Sequence, residues 1–269
     1  MIVQHNITSM NANRQLGIVG GNLKKATEKL ASGYRINRAA DDAAGLSISE
    51  KMRAQVRGLQ QASENAQDGI SLIQTAEGAM DQQHAILQRT RELVVKAANS
   101  GVLEDTNEDD YKKIQDEIDK LKEEFERINS DTEFNKKKLL DGNYDGWLQI
   151  GANDGQGIQV TIANATWTDI DVLAGAAANS TALEDVDAML QSVSEVRSSL
   201  GAIQNRLEYT IAVDDNTAEN LQDAESRIRD TDMADEMTRY AKENILQQAA
   251  TSMLAQANQA NQGVLSLLQ

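Results

Sequence analysis

Residues 52–94 read MRAQVRGLQQASENAQDGISLIQTAEGAMDQQHAILQRTRELV. Every seventh residue of this stretch is apolar, in the series Met52, Leu59, Ala66, Ile73, Met80, Leu87 and Val94. An apolar residue at every seventh position is typical of a helix that packs along another helix as in a coiled coil. The stretch therefore predicts one long helix, from about residue 46 to residue 98.

A second series with the same interval lies in the C-terminal half of the chain and consists of Val186, Val193, Leu200, Leu207, Asp214, Leu221 and Ile228. Asp214 interrupts this series, and a kink, a helix junction and a solvated gap are all compatible with it. We expect the two long helices to pack through Leu59, Ile73, Met80, Leu87, Leu200, Leu207 and Leu221. Shorter apolar series near the chain ends predict two further helices.

Composition supports long helices and a small core. The 269 residues include no proline, which costs about 3 kcal/mol inside a helix, and only 3% are aromatic. A helix over residues 46–98 would be about 80 Å long, whereas a compact chain of this length has a radius of gyration near 18 Å. We therefore predict a mainly α fold, an elongated rod of long antiparallel helices with coiled-coil-like packing and a small β-hairpin.

The middle of the chain has a different pattern. Residues 104–133 are highly charged and predict an amphipathic helix that ends in a turn at residues 130–133. Apolar residues then alternate between Trp147 and Ala163, with the turn signal Asn153-Asp154-Gly155 between the two runs, which predicts a β-hairpin. Residues 164–182 are predicted to form a loop.

Charge and composition exclude several classes of protein. The net charge of -16 argues against a nucleic-acid partner, which requires a basic surface. No apolar run reaches the roughly 18 residues that would span a membrane, and the N-terminus lacks the apolar region of a cleavable signal peptide. Without cysteine there is no disulfide framework, no cysteine-based zinc site and no thiol nucleophile.

No group of residues predicts an enzyme. Asp41 and Asp42 fit the N-terminal cap and first turn of the long helix better than a catalytic or magnesium-binding pair. The two histidines, His5 and His84, lie in no recognisable constellation, and the glycine-rich residues 151–157 lack the Lys-Ser/Thr of a phosphate-binding loop. We therefore predict no catalytic, cofactor-binding or metal site.

Charge is distributed unevenly between the two ends. Residues 1–60 carry nine basic and four acidic side chains, whereas residues 208–243 carry four basic and eleven acidic ones. This asymmetry would favour pairing of the two ends over self-pairing of either. The alternative is that both segments present ordinary solvated helix faces.

The chain resembles bacterial flagellin in its motifs. LASGYRINRAADDAAGL at residues 30–46 and QASENAQDGIS at 61–71 are similar to the N-terminal region of that family. QIGANDGQ at 149–156 resembles its hairpin. NILQQAA at 244–250, MLAQAN at 253–258 and VLSLL at 264–268 resemble its C-terminus. The resemblance covers essentially the whole chain and follows the family's order.

The resemblance implies a structural subunit that is exported unfolded, is secreted and assembles with copies of itself into the extracellular flagellar filament for motility. Residues 1–43 and 232–269 would form the inner tube of the filament. Residues 44–178, with the hairpin near 147–163, and residues 179–231 would form the outer rod. Large variable outer domains are absent, which implies a short form of flagellin. The inner-tube core would contain Leu16, Leu23, Leu30, Ile245, Met253, Leu254, Val264, Leu265 and Leu268.

The family also implies partners. An export chaperone would bind the apolar side chains of the C-terminal arm, and the filament cap and hook-junction proteins would contact the assembled subunit. Toll-like receptor five, an innate immune receptor, would contact Arg89, Leu93 and Glu117, which fall on the family's contact positions. Two alternatives are a hook–filament junction protein, which shares the general layout, and an intracellular coiled-coil scaffold, which fits the heptads equally well.

Overall fold

A computed structural model describes residues 6–99, 108–172 and 176–267. The described residues form five α-helices: α1 (Ile7–Ser32), α2 (Ala43–Ala97), α3 (Glu108–Asp131), α4 (Ala176–Arg229) and α5 (Met233–Leu267). Four short strands lie between α3 and α4: β1 (Glu133–Phe134), β2 (Lys137–Lys138), β3 (Tyr144–Gln149) and β4 (Gly157–Ile162). The prediction of a mainly α fold with a small β-hairpin is confirmed.

The short connection between α1 and α2 is set by local side-chain and backbone chemistry. Gly33 ends α1 in a left-handed conformation, with φ of 75°, and its N–H donates to the carbonyl oxygen of Lys29. Asp42 caps α2, because its Oδ1 accepts a 2.8 Å hydrogen bond from the N–H of Gly45. Asp41 accepts from the N–H groups of Asn37 and Arg38. The Arg38 hydrogen bond lowers the pKa of Asp41. The predicted cap of α2 is confirmed for Asp42, whereas the predicted acid in the first turn is wrong, since Asp41 closes the turn before the helix and α2 has no acid in its first turn.

The chain forms two compact units. Unit 1 contains the described residues of Met1–Ala54 and Glu219–Gln269, and unit 2 contains those of Gln55–Ala218. In unit 1, α1 packs against α5. Unit 2 contains the main core, which includes side chains from α2, α3, α4 and the β3–β4 hairpin.

The heptad series describes the core of unit 2 well. Every position of the first series from Leu59 to Val94 is buried, as is every position of the second from Val186 to Asp214. On α2, a parallel series of small and polar residues is buried beside the large ones: Ala62, Gly69, Ala76, Gln83, Thr90 and Ala97. The helix therefore presents a seam in which large side chains alternate with small ones, which permits close packing.

The predicted β-hairpin is confirmed, and its strands are slightly longer than the sequence indicated. Strand β3 pairs antiparallel with β4 in a register that places Tyr144 opposite Ile162 and Gln149 opposite Gly157. Gly155 adopts φ of 76° in the connecting turn. The side chains of Ile158, Val160 and Ile162 are buried in the core, so that the other face of the hairpin points to solvent.

Three details of the sequence prediction are corrected or resolved. The loop predicted over residues 164–182 is wrong at its end, since α4 begins at Ala176, where a run of alanines favours the helix. The turn predicted at residues 130–133 is wrong at its start, since α3 continues to Asp131, and Glu133 already pairs with Lys138. Helix α4 continues through Asp214 without a junction, and that side chain is buried.

Candidate functional site

Helices α1 and α5 bring the two ends of the described chain together. The Nδ2 of Asn6 donates a 2.9 Å hydrogen bond to the carbonyl oxygen of Ala257, and the Oγ of Ser9 donates a 2.8 Å bond to Oδ1 of Asn258. Asn6 also caps α1, because its Oδ1 accepts from the N–H of Ser9. The same residue thus starts α1 and fixes it to α5.

The α1–α5 pair buries little of its own apolar surface. Ala26 is the buried residue of α1, and Glu236 is the buried residue among the described side chains of α5. Large apolar side chains that remain exposed on these two helices are Ile7, Met10, Ile18, Met233, Met237, Ile245, Leu246 and Met253. Single exposed apolar side chains are normal on a protein surface, but eight large ones on one pair of helices are unusual. The α1–α5 pair is therefore a candidate interaction surface.

The inner-tube candidates are distributed over this pair. Leu16, Leu23, Leu30 and Leu254 are half-buried, whereas Ile245 and Met253 are exposed. Val264 and Leu265 belong to α5, but their side chains lie outside the described residues, as does Leu268 altogether.

A cavity of about 290 Å³ lies between α1 and α5 and carries a mixed set of charges. Its basic and acidic lining residues are Lys25, Lys29, Arg239, Lys242, Glu236 and Glu243. Arg239 lies 3.7 Å from the buried Glu236 carboxylate, and Oε2 of Glu243 is buried without a hydrogen-bond partner. Four cations against two carboxylates make this seam locally positive within a strongly acidic chain.

A second cluster in unit 1 surrounds Tyr34, where the α1–α2 connection meets the α4–α5 connection. The guanidinium of Arg229 lies 4.8 Å from the centre of the Tyr34 ring, and that of Arg53 lies 5.9 Å from it. Arg53 pairs with Glu225 at 2.8 Å and Arg229 with Glu50 at 2.7 Å. Both pairs join the basic N-terminal segment to the acidic C-terminal one, the first through an N-terminal cation and the second through a C-terminal cation.

The three receptor candidates occupy two different environments in unit 2. The Nη2 of Arg89 lies 2.8 Å from Oε1 of Glu117, which connects the exposed faces of α2 and α3. This hydrogen bond raises the pKa of Arg89, and Glu92 contributes further. Leu93 is only 3% exposed and belongs to the core. Arg89 and Glu117 are therefore accessible together, and Leu93 lies beneath the surface.

The residues proposed to pack the long helices lie as follows. Leu59, Ile73, Met80, Leu87, Leu200 and Leu207 are buried in unit 2, and Leu221 is half-buried in unit 1. Sequence reasoning missed the buried Gln83, whose Nε2 donates a 2.6 Å hydrogen bond to Oδ1 of Asn129. It also missed the exposure of Trp147 on the hairpin. Heptad position alone could have identified Gln83, since it belongs to the buried series of small residues.

The described residues contain neither a candidate metal cluster nor a candidate membrane-spanning helix. Within residues 6–99, 108–172 and 176–267, no group of three or more His, Cys, Asp or Glu side chains could hold a metal ion. Among the same residues, no helix has the length and apolar character needed to cross a membrane.

Two family profiles match most of the chain. The profile of the bacterial flagellin N-terminal helical region matches residues 3–145, and that of the bacterial flagellin C-terminal helical region matches residues 183–268. The boundaries agree with the motifs at the two ends, and the unmatched segment contains β4 and the start of α4.

Similar proteins cover the chain from end to end. It is 54% identical over 277 aligned residues to a flagellin of Halalkalibacterium halodurans and 48% identical over 305 to a flagellin of Bacillus subtilis strain 168, with 100% of both chains covered in each case. Among solved structures, a chain described as a flagellar hook-associated protein from Vibrio parahaemolyticus matches with a TM-score of 0.59 at 11% identity. That match covers 71% of this chain and 100% of the other, and at this identity it supports the fold alone.

Proposed function

Because the chain belongs to the bacterial flagellin family, it is a subunit of the flagellar filament, and we propose that α1 and α5 supply the surface through which subunits join. The observation that carries this proposal is the set of large apolar side chains that the α1–α5 pair leaves exposed. Burying one such side chain stabilises an assembly by about 1.5–3 kcal/mol. Neighbouring copies would complete the apolar surroundings that a single copy lacks.

The proposed organisation follows the family layout. Residues 1–43 and 232–269 form the inner tube, and residues 44–178 and 179–231 form the outer rod. The contrast in burial supports this division, because unit 2 has a core of its own and the α1–α5 pair does not. Unit 2, which has its own core and few exposed apolar side chains, suits the outside of a filament. The α1–α5 pair, which exposes many apolar side chains, suits its inside.

The proposed location is extracellular, after export of the unfolded chain. The composition supports passage through a narrow channel, since the sequence contains no cysteine that could cross-link and no proline. Isomerisation of an X-Pro bond takes tens of seconds or longer, and this chain avoids that delay.

The proposed partners during and after export are a dedicated chaperone on α5, the filament cap and the hook-junction proteins. The exposed Ile245, Leu246 and Met253 support a chaperone site on α5, because an apolar helix face docks readily into a groove of another protein. Occupation of this face would also prevent premature assembly inside the cell.

For Toll-like receptor five we propose a contact centred on the Arg89–Glu117 pair. Both side chains are about half exposed and are held together by two hydrogen bonds, at 2.8 and 3.0 Å. Leu93 would act from below by fixing the position of this part of α2.

The two other candidate functions are less well supported. A hook–filament junction protein shares the general fold, but the full-length identity of 54% to a flagellin favours the filament subunit. The same identity argues against a coiled-coil scaffold, which would need the heptads and none of the terminal motifs.

The test of this function is polymerisation of variants with a less apolar α5 face. We expect the double variant Ile245→Ser/Met253→Ser to raise the critical concentration for filament formation at least tenfold, because about 1.4 kcal/mol corresponds to a factor of ten. Sedimentation and electron microscopy measure the filaments.

The matched control is Gln248→Ser, an exposed polar residue of the same helix. Like the double variant, this change introduces serine into the helix and lowers its helix propensity, but it removes no apolar side chain. Normal filaments from the double variant, or equal loss in the control, would contradict the proposal. Urea unfolding of the monomer shows whether unit 2 remains intact in each variant.

A further inference from the structure

Unit 2 buries most of its apolar side chains, and its large exposed ones are few. Among its described residues, Val95, Trp147, Tyr209 and Val213 are the large apolar side chains that remain exposed. Tyr209 and Val213 lie one turn apart on α4, and Trp147 lies on β3. Trp147 marks one patch and the Tyr209–Val213 pair a second, so that each patch contains one aromatic ring, whereas Val95 on α2 belongs to neither.

The first patch is the solvent face of the hairpin, and its aromatic ring is held in place. A Cβ atom on Gly157 would overlap the indole of Trp147, so the ring lies directly over the glycine of the opposite strand. The side chain is still 58% exposed. Because residues two apart on a strand share a face, Asp145 projects from the same side about 7 Å away. The patch is therefore a positioned indole with a neighbouring carboxylate.

The second patch is a shallow groove on one face of α4. Its lining residues are Ala202, Asn205, Arg206, Tyr209, Thr210 and Val213. Tyr209 is 76% exposed and Val213 63%. Arg206 lies one turn before Tyr209 and makes no ion pair with a described carboxylate within 4.0 Å. This patch therefore combines an apolar floor with an uncompensated cation.

Both patches lie outside the contact between the hairpin and α4 at Gly69. The Leu148 and Leu207 side chains both approach Gly69 on α2, so the inner faces of the hairpin and of α4 meet there. Trp147 directly precedes Leu148 in β3, so its side chain points to the opposite face of the strand. Tyr209 lies about 200° around the helix from Leu207. Neither ring therefore takes part in the contact at Gly69, and both remain exposed.

Two exposed patches of different chemistry suit contacts between copies. Joining one patch to a different patch on the next copy is a heterologous contact, which produces an open helical polymer when it does not close into a ring. The two patches also match in charge, since Asp145 in one would face Arg206 in the other, and in the spacing of their residues. The Asp145–Trp147 separation of about 7 Å is similar to the 5–6 Å between residues one turn apart such as Arg206 and Tyr209. Trp, Tyr and Arg are the residues that most often dominate interface energies.

We propose that Trp147 of one subunit packs against the Arg206–Tyr209–Val213 face of α4 in a second copy of this chain, with Asp145 beside Arg206. The inference rests on the proposed function in the filament and adds a specific outer contact to the α1–α5 surface. Each subunit would use both patches, one toward each of two neighbours.

Chemical cross-linking tests this contact, because the natural chain contains no cysteine. Variants Trp147→Cys and Tyr209→Cys are each mixed as a minor fraction with the wild-type chain, assembled, and treated with a short bis-maleimide. We expect cross-linked dimers when both variants are present in the same filaments. Filaments that contain one variant alone should give none, since like patches do not meet.

The matched control replaces Trp147→Cys with Val95→Cys, another exposed apolar position of unit 2. Dimers with Val95→Cys at the same yield, or none with Trp147→Cys, would overturn the inference. Filament formation by the wild-type chain in the same experiment tests the proposed function separately, because its absence would contradict that function itself.

A double-mutant comparison gives an independent readout. Trp147→Ala and Tyr209→Ala should each raise the critical concentration about tenfold or more, and the double variant should be no worse than the more severe single one. The charge-reversed double variant Asp145→Arg/Arg206→Asp should form filaments at a critical concentration much closer to that of the wild type than either single change does. Additive effects of the alanine variants would show that the two rings have different neighbours and would exclude the contact.

Discussion

Asp214 occupies a position of α4 that the heptad series reserves for an apolar side chain. It is 8% exposed, and its Oδ2 is buried without a hydrogen-bond partner in the described structure. Burial raises the pKa of its carboxyl group, and the neighbouring Asp215 raises it further. A buried group without a partner costs about 1–3 kcal/mol. Asp214 is therefore a local weakness in the core of unit 2.

Replacement of this residue should stabilise the protein. We expect Asp214→Leu to increase the free energy of unfolding of the monomer by about 1–3 kcal/mol at pH 7, because it restores the apolar series and removes the buried carboxylate. Asp215→Leu, at the exposed next position, should change it by less than about 0.5 kcal/mol. Urea denaturation followed by circular dichroism measures both.

The gain from Asp214→Leu should depend on pH. The folded pKa of Asp214 lies above the unfolded value of about 3.9. The folded state therefore favours the protonated form, and the wild-type chain loses stability as pH rises from below 3.9 through the folded pKa. The stability difference between the variant and the wild type should be larger at pH 7 than at pH 4. An equal difference at both pH values would mean that Asp214 is solvated in the folded protein.

At the scale of secondary structure elements, α3 is held on α2 by a polar chain inside an apolar core. Gln83 is fully buried and donates to Asn129, and Nδ2 of Asn129 donates a 3.0 Å hydrogen bond to the carbonyl oxygen of Ala165. These two bonds connect α2, α3 and the segment that follows β4. Hydrogen bonds between buried polar groups tolerate little displacement of their partners. The two bonds of Asn129 therefore fix the position of α3 along α2.

Loss of the central residue should therefore destabilise unit 2. We expect Asn129→Ala to lower the free energy of unfolding by about 1–3 kcal/mol, since it leaves the buried amide of Gln83 unpaired. Ser130→Ala, the next residue and an exposed one, is the matched control. The double variant Gln83→Leu/Asn129→Ala should recover part of the loss, because it removes the unpaired amide. Equal stability of Asn129→Ala and the wild type in urea would contradict this role.

The long helices and the hairpin could be predicted from sequence because each depends on a periodic pattern. The series from Leu59 to Val94 repeats at the interval of a packed helix, and the alternation from Trp147 onward repeats at that of a strand. The start of α4 could not, because Gly175 and Asn179-Ser180-Thr181 are turn-forming residue types on either side of the alanines, and their local preference conflicts with the helix propensity of the alanines. The pairing of Gln83 with Asn129, 46 residues apart, also depends on tertiary structure.

At the scale of the whole molecule, the two units differ in how much apolar surface they bury. Unit 2 contains a continuous core, whereas Ala26 is the buried side chain of α1. Ordering one residue costs about 1–2 kcal/mol of conformational entropy, which this sparse burial hardly offsets. The stability of α1 and α5 in the free subunit should therefore be low, and neighbours in the filament should raise it.

Hydrogen exchange tests this difference. In the monomer we expect the backbone amides of α1 and α5 to exchange far faster than those of α2 and α4 within unit 2, because local opening costs little where few side chains are buried. In filaments the amides of α1 and α5 should become protected. Circular dichroism should show a gain of helix on assembly. Equal protection of α1 in monomer and filament would show that the pair is stable by itself.

The pairing of Asn6 and Ser9 with Ala257 and Asn258 joins segments about 250 residues apart in sequence. Contacts this distant carry the largest loop-closure cost and tend to form late in folding. Helix α5 also follows every other described element in the chain. A product terminated before residue 233 would lack α5 and with it the partner of α1, so we expect such a product to join the polymer poorly.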